Sequence, residues 1–124
     1  MLPETRGKTY ILRILSVYRD LFRSKYGFMP SVPIARYGRQ LKALNETHSE
    51  LQVAAMLIVF FDWKGMSGDD NFTEQKLIDA GHALGWFFST VNTYEIFLRN
   101  VYKLDFDKEE EVKNFVSKSM LSLN

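Results

Sequence analysis

Apolar residues recur at spacings of three and four along nearly the whole chain, which is the period of helical faces and not of strands. From Thr9 to Lys25, Ile11, Ile14, Leu15, Tyr18, Leu21 and Phe22 form one stripe, with Lys8, Arg19 and Arg23 beside one another on its flank. Gly27 predicts the end of this first helix, because glycine accepts the left-handed conformation that closes a C-terminus. Phe28 to Pro33, with Pro30 and Pro33, reads as an extended connector. A second helix is predicted from Ile34 to about Asn45, with Ile34, Tyr37, Leu41 and Leu44 on one side and Arg36, Arg39 and Lys42 on the other. Gly38 inside it predicts either a local distortion or a close packing partner.

Thr47 and Glu50 have the spacing of a capping box and predict the start of a third helix. Its run Val53 to Phe61 is apolar nearly all round, the pattern of a central buried helix. Asp62 to Asn71 is the strongest loop signal in the chain. Asn71 and Glu74 then predict a fourth helix carrying Leu77, Leu84, Trp86, Phe87 and Phe88, in which Gly81 and Gly85 predict a close helix approach. The poor helix formers Thr90 to Thr93 predict a break. Tyr94 to Leu104 resumes the helical pattern. Asp107 and Glu110 are expected to cap a peripheral last helix at about 108–122, with the narrow stripe Val112, Phe115, Val116 and Met120, able to dock on the body or on a partner. The expected fold is all-α, one compact domain over 1–124 with five or six helices around the central apolar one.

Composition supports one packed core. Of the 124 residues 46% are hydrophobic and 15% aromatic, so side-chain volume suffices for a folded interior. The absence of cysteine excludes a disulfide framework, a thiolate nucleophile and any cysteine-containing zinc site. No stretch has the layout of a signal peptide, and the longest apolar run has nine residues, against roughly 18 needed for a bilayer span. A cytoplasmic location without membrane contact is the expectation.

Charge changes the picture most. The net charge of +1 hides a division: residues 1–45 carry nine basic and two acidic side chains, net +7, and residues 46–124 carry net −6. One basic surface suited to polyanions is expected beside an acidic one that repels them.

Enzyme chemistry finds no motif. His48 and His82 lack metal-site spacing, and no phosphate-cradling glycine loop, dinucleotide fingerprint or nucleophile elbow is present. A calcium loop starting at Asp62 would place Lys64, Met66 and Thr73 at ligand positions, so Asp69 and Asp70 read as a solvated turn. Glu109, Glu110 and Glu111 suit the first turn of a helix. No catalytic residue, metal or cofactor is therefore assigned.

What remains is the interleaving of Arg13, Arg19, Arg23, Lys25, Arg36, Arg39 and Lys42 with Tyr18, Phe22, Tyr26, Phe28 and Tyr37, the mixture that pairs with phosphates and stacks on bases. The same cations would also suit internal pairing with the acidic half, or an acidic protein partner. The strings Lys25-Tyr26-Gly27-Phe28-Met29-Pro30, Tyr37-Gly38-Arg39-Gln40-Leu41-Lys42, His48-Ser49-Glu50-Leu51 and Phe60-Phe61-Asp62 resemble a pattern of small helical bacteriophage proteins that accompany replication or transcription. The likeness covers roughly residues 10–100. It implies a non-enzymatic accessory protein working with nucleic acid or its machinery in the host cytoplasm, with contacts on Tyr26, Arg36, Arg39 and Lys42. The combined reading expects binding of DNA more than RNA, as single strands or a distorted duplex, through Arg19, Arg23, Lys25, Tyr26, Phe28, Arg36, Arg39 and Lys42. The alternative is an adaptor or inhibitor that docks on a polymerase, helicase or host defence protein through the last helix, Trp63 and Met66. The oligomeric state is left open.

Overall fold

A computed structural model describes residues 3–28, 34–62 and 83–123, without the side chains of 3–9 and 34–36. Among the described residues the fold is all-α, with no strand. The helices are α1 (Pro3–Tyr26), α2 (Ile34–Asn45), α3 (Glu50–Phe61), α4 (Leu84–Ser89), α5 (Val91–Asn100) and α6 (Glu109–Leu121).

The centre is α3. Val53 to Leu57 and Val59 to Phe61 are buried and Ile58 is partly so, so beyond its first turn nearly the whole circumference of this helix is covered. Each large side chain so buried contributes roughly 1.5–3 kcal/mol, which is why other helices must cover it on several sides. α1, α5 and α6 do so, and α2 packs against α1. The covering residues are the apolar stripes of those helices: Ile14, Leu15, Tyr18 and Leu21 from α1, Tyr94 and Leu98 from α5, and Val112 and Val116 from α6. Aromatic rings fill the space between, with Phe60 edge-on to both Phe87 and Tyr94 at 5.5 Å and Phe87 stacked on Tyr94 at 5.8 Å.

The contacts also give directions. Arg13 and Tyr10 of α1 reach Glu50 and the His48 carbonyl at the start of α3, while Leu21 and Lys25 share a groove with Ile58, Phe61 and Ser119 at its end. Val112, near the start of α6, lies beside Ser49 and Gln52. Thus α1, α3 and α6 run parallel. α2 carries the chain back from the end of α1 to the start of α3.

Local details depart from the sequence reading in four places. The cap of α3 is Ser49, which accepts from the Gln52 amide while the Gln52 side chain accepts from the Ser49 amide; the expected Thr47–Glu50 box does not form, because Thr47 is held by the Leu44 carbonyl and the His48 ring. α6 begins after Lys108 without a side-chain cap, and Asp107 and Glu110 do not form the expected one: Asp105 Oδ1 accepts from the Asp107 amide instead. The break before α5 is confined to Thr90, whose hydroxyl donates to the Trp86 carbonyl at 2.7 Å and lies 2.6 Å from the Tyr94 hydroxyl, giving that buried phenol its polar partner. α6 is not peripheral. Its stripe closes the core over α3, so it is used up in folding.

Other expectations hold. Gly27 sits at φ +83° and donates to the Arg23 carbonyl at 2.8 Å, ending α1. α1 itself begins earlier than Thr9, at Pro3, where proline costs little because first-turn amides have no helical partner. The predicted loop from Trp63, with Met66, Asp69 and Asp70, the helix start at Asn71, Gly81 and His82 lie outside the described residues. Contrary to expectation, no described atom comes within 4 Å of a would-be Cβ at Gly38 or Gly85, so among the described residues neither has a close packing partner.

Two outcomes follow from this packing. Gly38→Ala should stabilise the protein by about 0.5–1 kcal/mol, because the methyl finds open space and the helix gains propensity; a lowered midpoint in thermal unfolding would show that the helix is held by something else at that position. Deleting residues 108–124 should abolish the cooperative unfolding transition, since it uncovers one side of α3. A truncation that still melts cooperatively would contradict the role given to α6.

Candidate nucleic-acid interface

The basic residues sit on the two helices that precede the core helix. Arg19 is half-buried, and Arg23 and Lys25 are exposed in the last turns of α1. Arg39 and Lys42 are exposed on α2, three residues apart and so on one ridge. Arg36 belongs to α2, but its side chain lies outside the described residues, as do Trp63 and Met66. Cations at Arg23, Lys25 and Lys42 also complement the negative C-terminal ends of their helices.

Pairing separates these residues from the other cations. Arg13 reaches Glu50 at 3.3 Å across a largely exposed gap, a contact of roughly 0–1 kcal/mol. Arg99 bonds Glu95 and Lys108 lies 3.9 Å from Glu111, both within the acidic part of the chain. Among the described residues no carboxylate comes within 4.0 Å of Arg19, Arg23, Lys25, Arg39 or Lys42. Internal compensation of the basic third is thus limited to Arg13 there.

Aromatic side chains adjoin this surface. Phe22 is buried and touches Tyr26 at 4.6 Å and Phe28 edge-on at 5.4 Å. Tyr26 is half-buried within this cluster, and burial raises its hydroxyl above the ordinary range. Phe28 differs: 60% of it is exposed although its ring leans on Phe22. Tyr18 and Tyr37, read from sequence as part of the mixture, belong to the core: Tyr18 is buried, its hydroxyl raised above the ordinary range by burial and by the nearby Tyr37 and Tyr26, and Tyr37 packs on Phe88 at 5.8 Å.

Sequence reading missed a second polar cluster, at the start of α3. His48 Nε2 lies 2.7 Å from Glu95 Oε1, and its Nδ1 lies 2.8 Å from Thr47 Oγ1. Arg99 donates to Glu95 Oε2 at 3.1 Å and rests 5.1 Å from the centre of the Phe106 ring. Gln52 donates to the Phe106 carbonyl at 2.8 Å. The cluster ties the α2–α3 corner to α5 and to the connector before α6. Only the four-residue spacing of Glu95 and Arg99 signals any of it in sequence, because His48 and Glu95 are 47 positions apart. Burial acts to raise the Glu95 carboxyl, but the hydrogen bonds from His48 and Arg99, and their charges, hold it below its ordinary value of 4.5.

A group held below its ordinary value stabilises the fold above that value, and the contribution fades as pH falls through the folded one. The wild-type protein should therefore lose stability as acid drops the pH below about 4.5, and Glu95→Gln should be less stable at neutral pH with a shallower acid slope. Parallel slopes of wild type and Glu95→Gln in denaturant titrations across that range would disprove the assignment.

No group of three or more histidine or acidic side chains placed to hold a metal ion occurs among the described residues, and no helix among them is long and apolar enough to cross a membrane. Comparison with protein-family models, with curated proteins and with solved structures finds no match to this chain.

Proposed function

We propose that the protein is a non-enzymatic accessory protein that binds nucleic acid, DNA as single strands or a distorted duplex, through the faces of α1 and α2. The observation that carries this reading is the set Arg19, Arg23, Lys25, Arg39 and Lys42, left without described carboxylate partners, together with the exposed ring of Phe28 just after α1. Cations of this kind bind phosphates by releasing condensed counterions, and an exposed ring adds stacking on bases that are not already covered by a duplex. Single strands or a distorted duplex are favoured because the sequence shows no clear helix-turn-helix with a polar recognition helix, and because an open ring gains nothing from a closed duplex. Tyr26 contributes less directly, by bracing Phe28.

An adaptor or inhibitor role toward a protein of replication, transcription or host defence is the second reading. Its support moves from the stripe of α6, which is buried, to the corner after α5, where Val101 and Tyr102 are about half exposed. There Lys103 takes the left-handed conformation at φ 56°, and the Tyr102 ring rests against Phe97 at 5.3 Å and Phe115 at 5.6 Å with its remaining face open.

Fluorescence anisotropy with labelled oligonucleotides tests the first reading. Affinity should fall steeply between roughly 50 and 200 mM salt, and replacing Arg36, Arg39 and Lys42 together by alanine should flatten the logarithmic salt slope by about three units. Phe28→Ala should weaken single-strand binding by roughly 1–3 kcal/mol with little change for a duplex. Unaltered binding in the triple variant sinks the assignment of α2. Equal losses on both DNA forms, together with a lowered melting temperature, would make Phe28 a packing residue.

A further inference from the structure

α1 ends in a reversal that also aims the residue after it. Gly27 takes the left-handed conformation at φ +83°, and its amide donates to the Arg23 carbonyl at 2.8 Å. A chain that leaves a helix in this way folds back across the last turns, so the next side chain meets an apolar residue there. Phe28 does so. Its ring is edge-on to Phe22 at 5.4 Å and tilted against Tyr26 at 6.4 Å, yet 60% of the residue is exposed. Phe22 in turn is buried, 6.0 Å from Tyr18 and 6.4 Å from Phe61 of α3 between ring centres. The Phe28 ring is therefore anchored to the core and still open to solvent.

Only the backbone conformation asks for glycine at position 27. No described atom comes within 4 Å of a would-be Cβ there, so among the described residues crowding by neighbours is not what excludes a side chain. In the left-handed region, however, a Cβ presses on the carbonyl oxygen that follows it. An alanine relieves that pressure by leaving the region, which sends Phe28 in another direction. Asparagine tolerates the region better than most residues with a Cβ. The same reversal draws on Arg23, whose carbonyl accepts from Gly27 and whose exposed side chain, with that of Lys25, supplies cations in the last turn of α1.

From this geometry we infer that Gly27 is a positioning residue of the nucleic-acid site: its left-handed turn holds the Phe28 ring against Phe22, at the end of α1 that carries Arg23 and Lys25, ready to stack on a base of a single strand. The inference rests on the nucleic-acid reading and traces its single-strand preference to one backbone conformation. A ring fixed before binding gives up less freedom on stacking than one on a loose segment. Gly27 touches no ligand itself and acts through Phe28.

The test is a double-mutant cycle read by fluorescence anisotropy with oligo-dT and with a duplex of equal length. Gly27→Ala should weaken oligo-dT binding roughly tenfold, as Phe28→Ala does, and leave duplex binding nearly unchanged. The two losses should not add, because the alanine at position 27 acts only through the ring. Gly27→Asn should keep most of the affinity for oligo-dT. Should Gly27→Ala fail to fold, Gly27→Asn and the wild-type protein still decide: nuclear Overhauser contacts between the Phe22 and Phe28 rings should persist when wild-type protein is saturated with oligo-dT, while the Phe28 ring resonances move upfield. Wild-type affinity in Gly27→Ala, additive losses, equal losses in the alanine and asparagine variants, or loss of the ring contacts in the bound state overturns the positioning role and leaves the nucleic-acid reading standing. Failure of wild-type protein to bind any oligonucleotide overturns both.

Discussion

A helix that is apolar on every side cannot rest against one neighbour. That constraint, set by Val53 to Phe61, organises the molecule: water has to be excluded from α3 around its circumference, and a chain of 124 residues can do so only by wrapping several amphipathic helices about it. α1 and α6 cover it running in the same direction, and α5 covers it with Tyr94 and Leu98. Parallel neighbours cannot be joined by tight turns. The return of α2 and the long excursion between Phe61 and α6 follow from that need, and α2 is thereby laid against α1 as a second layer, free to carry cations on its outer side.

The parallel arrangement has an electrostatic cost. Three helix dipoles side by side repel one another, and their like ends gather at the two poles of the bundle. At the starting pole Glu50 of α3 and Glu109, Glu110 and Glu111 of α6 offset the positive ends. At the finishing pole Arg23, Lys25 and Lys118 lie in the last turns of α1 and α6 and do the same for the negative ends. The division of charge along the sequence is thus in part a requirement of the fold, and the cations of α2 are the ones this requirement explains least.

Much of the fold is legible in sequence because it rests on local periodicity. The bounds of α2, the stop at Gly27 and the burial of α3 follow from residues within a few positions of one another. What sequence hides depends on residues far apart. Two capping boxes are possible at the start of α3, Thr47 with Glu50 and Ser49 with Gln52; the second forms, while Thr47 is engaged by the Leu44 carbonyl and by a His48 ring that also meets Glu95, 47 positions away. The stripe of α6 looks the same whether it meets a partner or the body; the uncovered side of α3 decides. In the candidate interface the residue types were readable, yet that Arg13 is paired and Arg19, Arg39 and Lys42 have no described partner depends on where Glu50 falls in space.

Among the described residues, Tyr10 with His48, Arg13 with Glu50, His48 with Glu95 and Gln52 with Phe106 join elements near the start of α3. Drawing these elements apart strands a carboxylate and an imidazole from their partners, a cost beyond the lost packing. The corner that begins α3 is thereby a clasp: hydrophobic contact holds α1 and α5 against the core helix without direction, and the directional bonds at this corner fix the register in which they lie.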